Sequence, residues 1–87
     1  MGVLVRRRFE LIGGNSSKFW EIEIEGSSVT TWWGRIGTAG QSRSKDFGSP
    51  ARAVAEQEKL ITEKVSKGYI ELVPTPSAQK KRMTAKN

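Results

Sequence analysis

The chain has 87 residues and contains neither cysteine nor histidine. That length allows one domain with a modest core, and the missing residue types exclude disulfides, Cys/His zinc sites and catalysis by a thiolate or an imidazole. A formal charge of +6 is unevenly placed: Lys80, Lys81, Arg82 and Lys86 lie in an acid-free stretch from Pro74 to Asn87, and basic tails of this kind often only keep a protein in solution.

The opening Met1-Gly2-Val3-Leu4-Val5 is too short for a signal-peptide core or a membrane span, so a soluble, cytoplasmic protein is expected. Val3 to Ile12 is rich in branched and aromatic residues and stops at Gly13-Gly14-Asn15, the pattern of a strand and a turn. Of its two faces, Val5, Arg7, Phe9 and Leu11 form the more apolar one and are expected to point inward. The run Arg6-Arg7-Arg8 therefore splits between faces and is no single patch. From Lys18 to Glu25, Trp20, Ile22 and Ile24 alternate with Glu21, Glu23 and Glu25. Period-two alternation predicts one buried and one wet face, and the carboxylates of the wet face would repel nucleic acid. Gly26-Ser27-Ser28 then turns the chain into a third strand, Val29 to Ile36, paired as a hairpin. After the turn Gly37-Thr38-Ala39-Gly40, a fourth strand from Gln41 to Phe47 carries Arg43, Lys45 and Phe47 on one face.

Ser49 and Pro50 open the one helix, Ser49 as the cap whose hydroxyl accepts from a free N–H and Pro50 at the first helical position. The helix is expected to run from about Pro50 to Lys67, with Ala51, Val54, Ala55, Ile61 and Val65 on its inner face and Leu60 either at the flank or exposed. Gly68 supplies the left-handed stop. Tyr69 to Val73 reads as a last short strand, ended by Pro74. The spacing thus predicts an α+β domain over residues 1–73: a small curved antiparallel sheet of four to five strands with one helix packed on one face. Residues 74–87 form a basic tail expected to be disordered. No residue pattern calls for a metal or a cofactor, no carboxylate pair sits in a catalytic motif, and the domain is expected to be monomeric and not an enzyme.

Trp33-Gly34-Arg35-Ile36-Gly37-Thr38, followed by Gly40-Gln41, resembles the signature of WGR domains. The surroundings match in order and spacing: Phe19-Trp20-Glu21-Ile22 before it, then Lys45-x-Phe47, an alanine-bearing helix and Glu63-Lys64-x-x-Lys67-Gly68-Tyr69. The similarity spans roughly residues 5 to 73. WGR domains occur in DNA-dependent poly(ADP-ribose) polymerases and in bacterial proteins, and this chain is similar to the stand-alone bacterial kind. In the polymerases the domain binds DNA near a strand break and its motif Trp packs on a terminal sugar. The resemblance therefore implies a DNA-binding module that contacts sugar and phosphate at ends, nicks or distorted DNA. It does not extend to ADP-ribosyl transfer, because the polymerase catalytic domain has no counterpart in these residues.

The residues expected to contact nucleic acid are Trp33, Gly34, Arg35, Arg43 and Lys45. Trp32 and Trp33 are adjacent on a strand and must point to opposite faces. Trp33 is either a surface against which a sugar packs or a residue tucked under the turn or the helix. Gly34 marks a bulge or a close backbone approach, of the chain itself or of a ligand. Arg35 can fork onto phosphate or pair with Glu21 or Glu23 across the hairpin. Arg43 and Lys45 beside Phe47 suit a nucleic-acid groove or a solvated strand face. Gly34-x-x-Gly37-x-x-Gly40 lacks the strand–glycine–helix setting of a phosphate loop and reads as turn formers. Glu56, Glu58 and Glu63 on the one helix argue against base-specific readout, leaving sugar and phosphate as the DNA contacts. The competing function is a protein–protein adaptor without nucleic-acid binding.

Overall fold

The computed structural model describes residues 6–72. It contains β1 (Arg7–Gly13), β2 (Ser16–Glu25), β3 (Ser28–Arg35), β4 (Gln41–Asp46), α1 (Pro50–Ser66) and β5 (Ile70–Leu72). The five strands form one antiparallel sheet in the order β4-β3-β2-β1-β5. Hairpins carry the chain from β1 out to β4, and α1 returns it across the sheet so that β5 closes the far edge. Val3, Val5, Val73 and the basic tail lie outside the described residues.

Register explains which face is covered. Phe9 stands opposite Trp20, Trp20 opposite Trp33, and Ile24 opposite Val29. The period-two pattern therefore stacks Phe9, Trp20, Ile22 and Val29 under α1, and all four are buried. Phe9 and Trp20 meet at 5.4 Å between ring centroids with their planes tilted by 58°, a favoured aromatic geometry. Ile24, Trp33, Phe47, Leu60, Ile61 and Tyr69 pack around this centre partly buried.

The helix begins as its residues dictate. Ser49 is extended, and its hydroxyl accepts from the Arg52 N–H at 3.2 Å. At the other end Gly68 takes φ of 106°, a conformation that side chains resist. Of the helix's expected inner face only Ile61 packs against the core. Val54 and Val65 are 47% and 52% exposed, and Ala51 and Ala55 are exposed too. The stripe turned to the sheet is Ala53, Gln57, Leu60 and Lys64, at alternating helical spacings of four and three. Ala53 is completely buried, its small side chain letting helix and sheet approach closely. Lys64 lies on this face because its stem is apolar and only its head needs polar surroundings.

The opposite face of the sheet also departs from expectation. Glu21 is not freely hydrated: it accepts from Arg6 at 3.2 Å and from Arg8 at 2.6 Å, and Arg8 also reaches Glu10 at 2.9 Å. The Arg6 guanidinium lies 3.6 Å from the Trp32 ring centroid and that of Arg8 4.7 Å from the Phe19 ring. Phe19 is only 4% exposed, so this face carries a small second cluster of stacked cations and aromatics.

Candidate nucleic-acid interface

Trp33 sits near the end of β3 on the helix-covered face, and Trp32 on the other, as strand geometry requires. Trp33 is half-buried. It packs against the core and also lines two surface grooves, so it is neither wholly core nor wholly surface.

The turn after it is built on close backbone contact. A Cβ on Gly34 would come within 2.8 Å of the Gly40 Cα, and one on Gly40 would strike the Trp33 carbonyl and lie 2.8 Å from the Phe19 ring. Gly37 and Gly40 take φ of 96° and 71°. The Thr38 N–H and hydroxyl both donate to the Arg35 carbonyl, at 3.1 Å and 2.8 Å, and the Ile36 N–H donates to the Ser17 carbonyl at 3.0 Å. These glycines fold the loop over Phe19 and hold Trp33 and Arg35 in place.

The first groove, about 370 Å³, runs between β3–β4 and α1. Trp33, Thr31 and Leu60 line its floor, Arg43 and Lys45 one wall, and Glu56, Glu63 and Lys64 the other. The second, about 360 Å³, is lined by Lys18, Phe19, Trp33, Gly34, Arg35, Lys64 and Tyr69. All five residues expected from the sequence therefore line one or the other, with Trp33 and Lys64 shared by both. Lys18 and Lys64 were missed. Lys18 stands opposite Arg35 in the β2–β3 register, which hairpin pairing could have revealed. Lys64 belongs to the conspicuous Glu63-Lys64-x-x-Lys67 segment.

Charge pairing differs by location. Arg6 and Arg8 on the uncovered face and Arg7 at the β1–β5 edge of the helix-covered face are in ion pairs, whereas Lys18, Arg35, Arg43, Lys45 and Lys64 around Trp33 form none among the described residues. Arg35 does not pair with Glu21 or Glu23 across the hairpin, because the register puts it opposite Lys18 on the helix-covered face while both glutamates lie on the other face. The Lys64 ammonium stands 5.4 Å from the Trp20 centroid and 5.5 Å from that of Tyr69. Burial and then repulsion from Lys67 hold its pKa below the ordinary lysine value, with Glu63 opposing and Lys18 adding to the shift. A cation that is partly desolvated and unpaired favours an incoming anion.

A curved antiparallel sheet with one helix, presenting an aromatic between two cation-lined grooves, defines a small α+β module with a surface site. The chain belongs to the WGR domain family, whose model matches residues 5–76. It is 41% identical over 73 residues to the Escherichia coli protein YehF, spanning 84% of this chain and 27% of that protein. YfeS, also of Escherichia coli, is 36% identical over 67 residues, 77% of this chain and 28% of its own length. A crystal structure of a Bacteroides fragilis protein superimposes with a TM-score of 0.76 at 38% identity, over 91% of this chain and 22% of that one. The chain thus spans about a quarter of the length of these relatives. No helix among the described residues is long and apolar enough to cross a membrane.

Proposed function

We propose that this domain is a non-catalytic DNA-binding module that engages a strand end or break through sugar and phosphate. Trp33 offers the surface for a terminal sugar, Gly34 keeps the backbone beside it low, and Lys18, Arg35 and Lys64 take the adjoining phosphates. Arg43 and Lys45 extend the cationic surface along β4. The observation that carries this reading is the distribution of ion pairs: among the described residues the cations around Trp33 have no carboxylate partner, while Arg6, Arg7 and Arg8 on β1 and before it are all paired. Membership of a family associated with nucleic-acid binding in poly(ADP-ribose) polymerases supports it.

Fluorescence anisotropy with blunt, nicked and closed circular DNA at several salt concentrations tests the proposal. Open ends and nicks are expected to bind more tightly than the closed circle. Trp33→Ala is expected to weaken end binding roughly five- to a hundredfold, the range of an aromatic–nucleotide contact of about 1–3 kcal/mol. Trp20, 4% exposed, is the contrast: Trp20→Ala is expected to cost about 3–5 kcal/mol of folding stability. Absence of salt-dependent binding to every DNA form would overturn the reading.

A protein partner is the second reading. Ile12, Ile70 and Leu72 are 70%, 69% and 41% exposed, and register places them together on the uncovered sheet face at the β1–β5 edge. Exposed apolar side chains grouped in this way suit a protein contact.

A further inference from the structure

We infer that the groove between β4 and α1 holds a single-stranded extension of the bound DNA end. The inference rests on the DNA reading above and names the form of DNA that the site prefers.

The walls of the groove differ in charge: Arg43 and Lys45 on one side face Glu56 and Glu63 on the other, where Lys64 is the one cation. Arg43 and Lys45 lie two residues apart on β4, on the same face and exposed. Two strand positions span roughly 6.8 Å, a repeat that suits successive phosphates of one extended strand. Among the described residues edge strand β4 has no neighbour on its outer side, which leaves room for a backbone to run along it. Across the groove stand Glu56 and Glu63, two helical turns or roughly 10.5 Å apart. These carboxylates repel phosphate but accept hydrogen bonds from the exocyclic amines of adenine, cytosine and guanine.

A duplex brings two phosphate backbones and would force one of them against the acidic wall. A single strand brings one, which lies on the basic wall and turns its bases inward. There Trp33, Phe47 and Leu60 supply the apolar surface on which unpaired bases stack. The Lys45 ammonium, 5.1 Å from the Phe47 centroid, already lies against that surface. Trp33 borders both grooves, so a strand whose terminal duplex nucleotide rests on Trp33 continues directly into the first.

The test uses the full chain and one labelled DNA hairpin, either blunt or carrying an unpaired extension of about six nucleotides on its 3′ or its 5′ strand. The wild type is expected to bind one of the extended forms about tenfold more tightly than the blunt form, within the range of a single stacked base. In Arg43→Gln/Lys45→Gln that advantage is expected to shrink to within about twofold. The salt slope for the extended form should fall by about 1.4, for two contacts at about 0.7 each on a single strand. Arg35→Gln should weaken blunt and extended forms by a common factor. Equal binding of blunt and extended DNA, or an advantage that survives the double substitution, overturns the inference and leaves end binding intact. No salt-dependent binding to any form overturns both.

Discussion

Arg7 and Glu71 show how a cation on this sheet is put to structural use. Arg7 Nε and Nη2 each donate to a Glu71 carboxylate oxygen at 2.8 Å, tying β5 to β1 across the sheet edge. The hydrogen bond from Arg7 is the main cause holding the Glu71 carboxyl below its usual range, against the opposing effect of burial. Both side chains keep about a third of their surface in water, 32% and 30%, so the pair contributes at most about 1 kcal/mol. A carboxyl with a depressed folded-state pKa stabilises the fold above its unfolded value, near 4.3, and that contribution is lost as pH falls through the folded value. Glu71→Gln is therefore expected to lower the urea midpoint at pH 7 and to match the wild type near pH 2. A deficit of equal size at both pH values would mean that the charge pair is not its source. Lys64 is the converse case, a cation of the groove that stands near two aromatic rings and forms no ion pair among the described residues.

At the scale of elements, the loop between β3 and β4 depends on Gly40 more than on Gly37. Both take positive φ, but a Cβ at Gly37 would meet open space while one at Gly40 would collide with the Trp33 carbonyl and the Phe19 ring. Gly37→Ala is expected to cost roughly 1–2 kcal/mol for its backbone conformation alone. Gly40→Ala adds a collision and is expected to cost clearly more, toward roughly 3 kcal/mol, and to alter the tryptophan emission of the folded state. Equal denaturant midpoints for the two variants would show that Gly40 does not lie against Trp33. The same elements separate what is legible in the sequence from what is not. β2, its hairpin with β3 and the Ser49 cap follow from local signals: strict alternation, a short turn, and a hydroxyl before a proline. The inner face of α1 follows only at Ile61, because Gln57 and Lys64 interrupt the apolar stripe while Val54 and Val65 offer a false one. Phe19 is hidden by a loop that closes only in three dimensions, so its burial has no local signature. The residues proposed to contact DNA, Trp33, Gly34, Arg35, Arg43 and Lys45, could be chosen from the sequence, and all of them line a groove. The division into two grooves depends on where the helix lies.

For the whole molecule the question is which part of the positive charge confers preference and which only affinity. Before Pro74 the chain carries 11 basic and 9 acidic residues, and the remaining four basic residues follow it without an acid. Every fully buried hydrophobic residue among those described lies between Phe9 and Ala53. A chain ending at Thr75 is therefore expected to melt within error of the full chain. Its DNA binding should weaken in a distinctive way. Charges on a tail contact phosphate wherever it is found, so their loss should reduce the salt slope on duplex DNA by up to about 3.6, for four contacts at about 0.9 each. The ratio of affinities for nicked over closed circular DNA depends on Trp33 and the cations beside it, and that ratio should survive the truncation. Trp33→Ala in the full chain should do the reverse, lowering the ratio while leaving the salt slope nearly unchanged, because an aromatic contact releases no counterions. If truncation abolishes the ratio, discrimination lies in residues 76–87 and the grooves around Trp33 are not the site that senses the break.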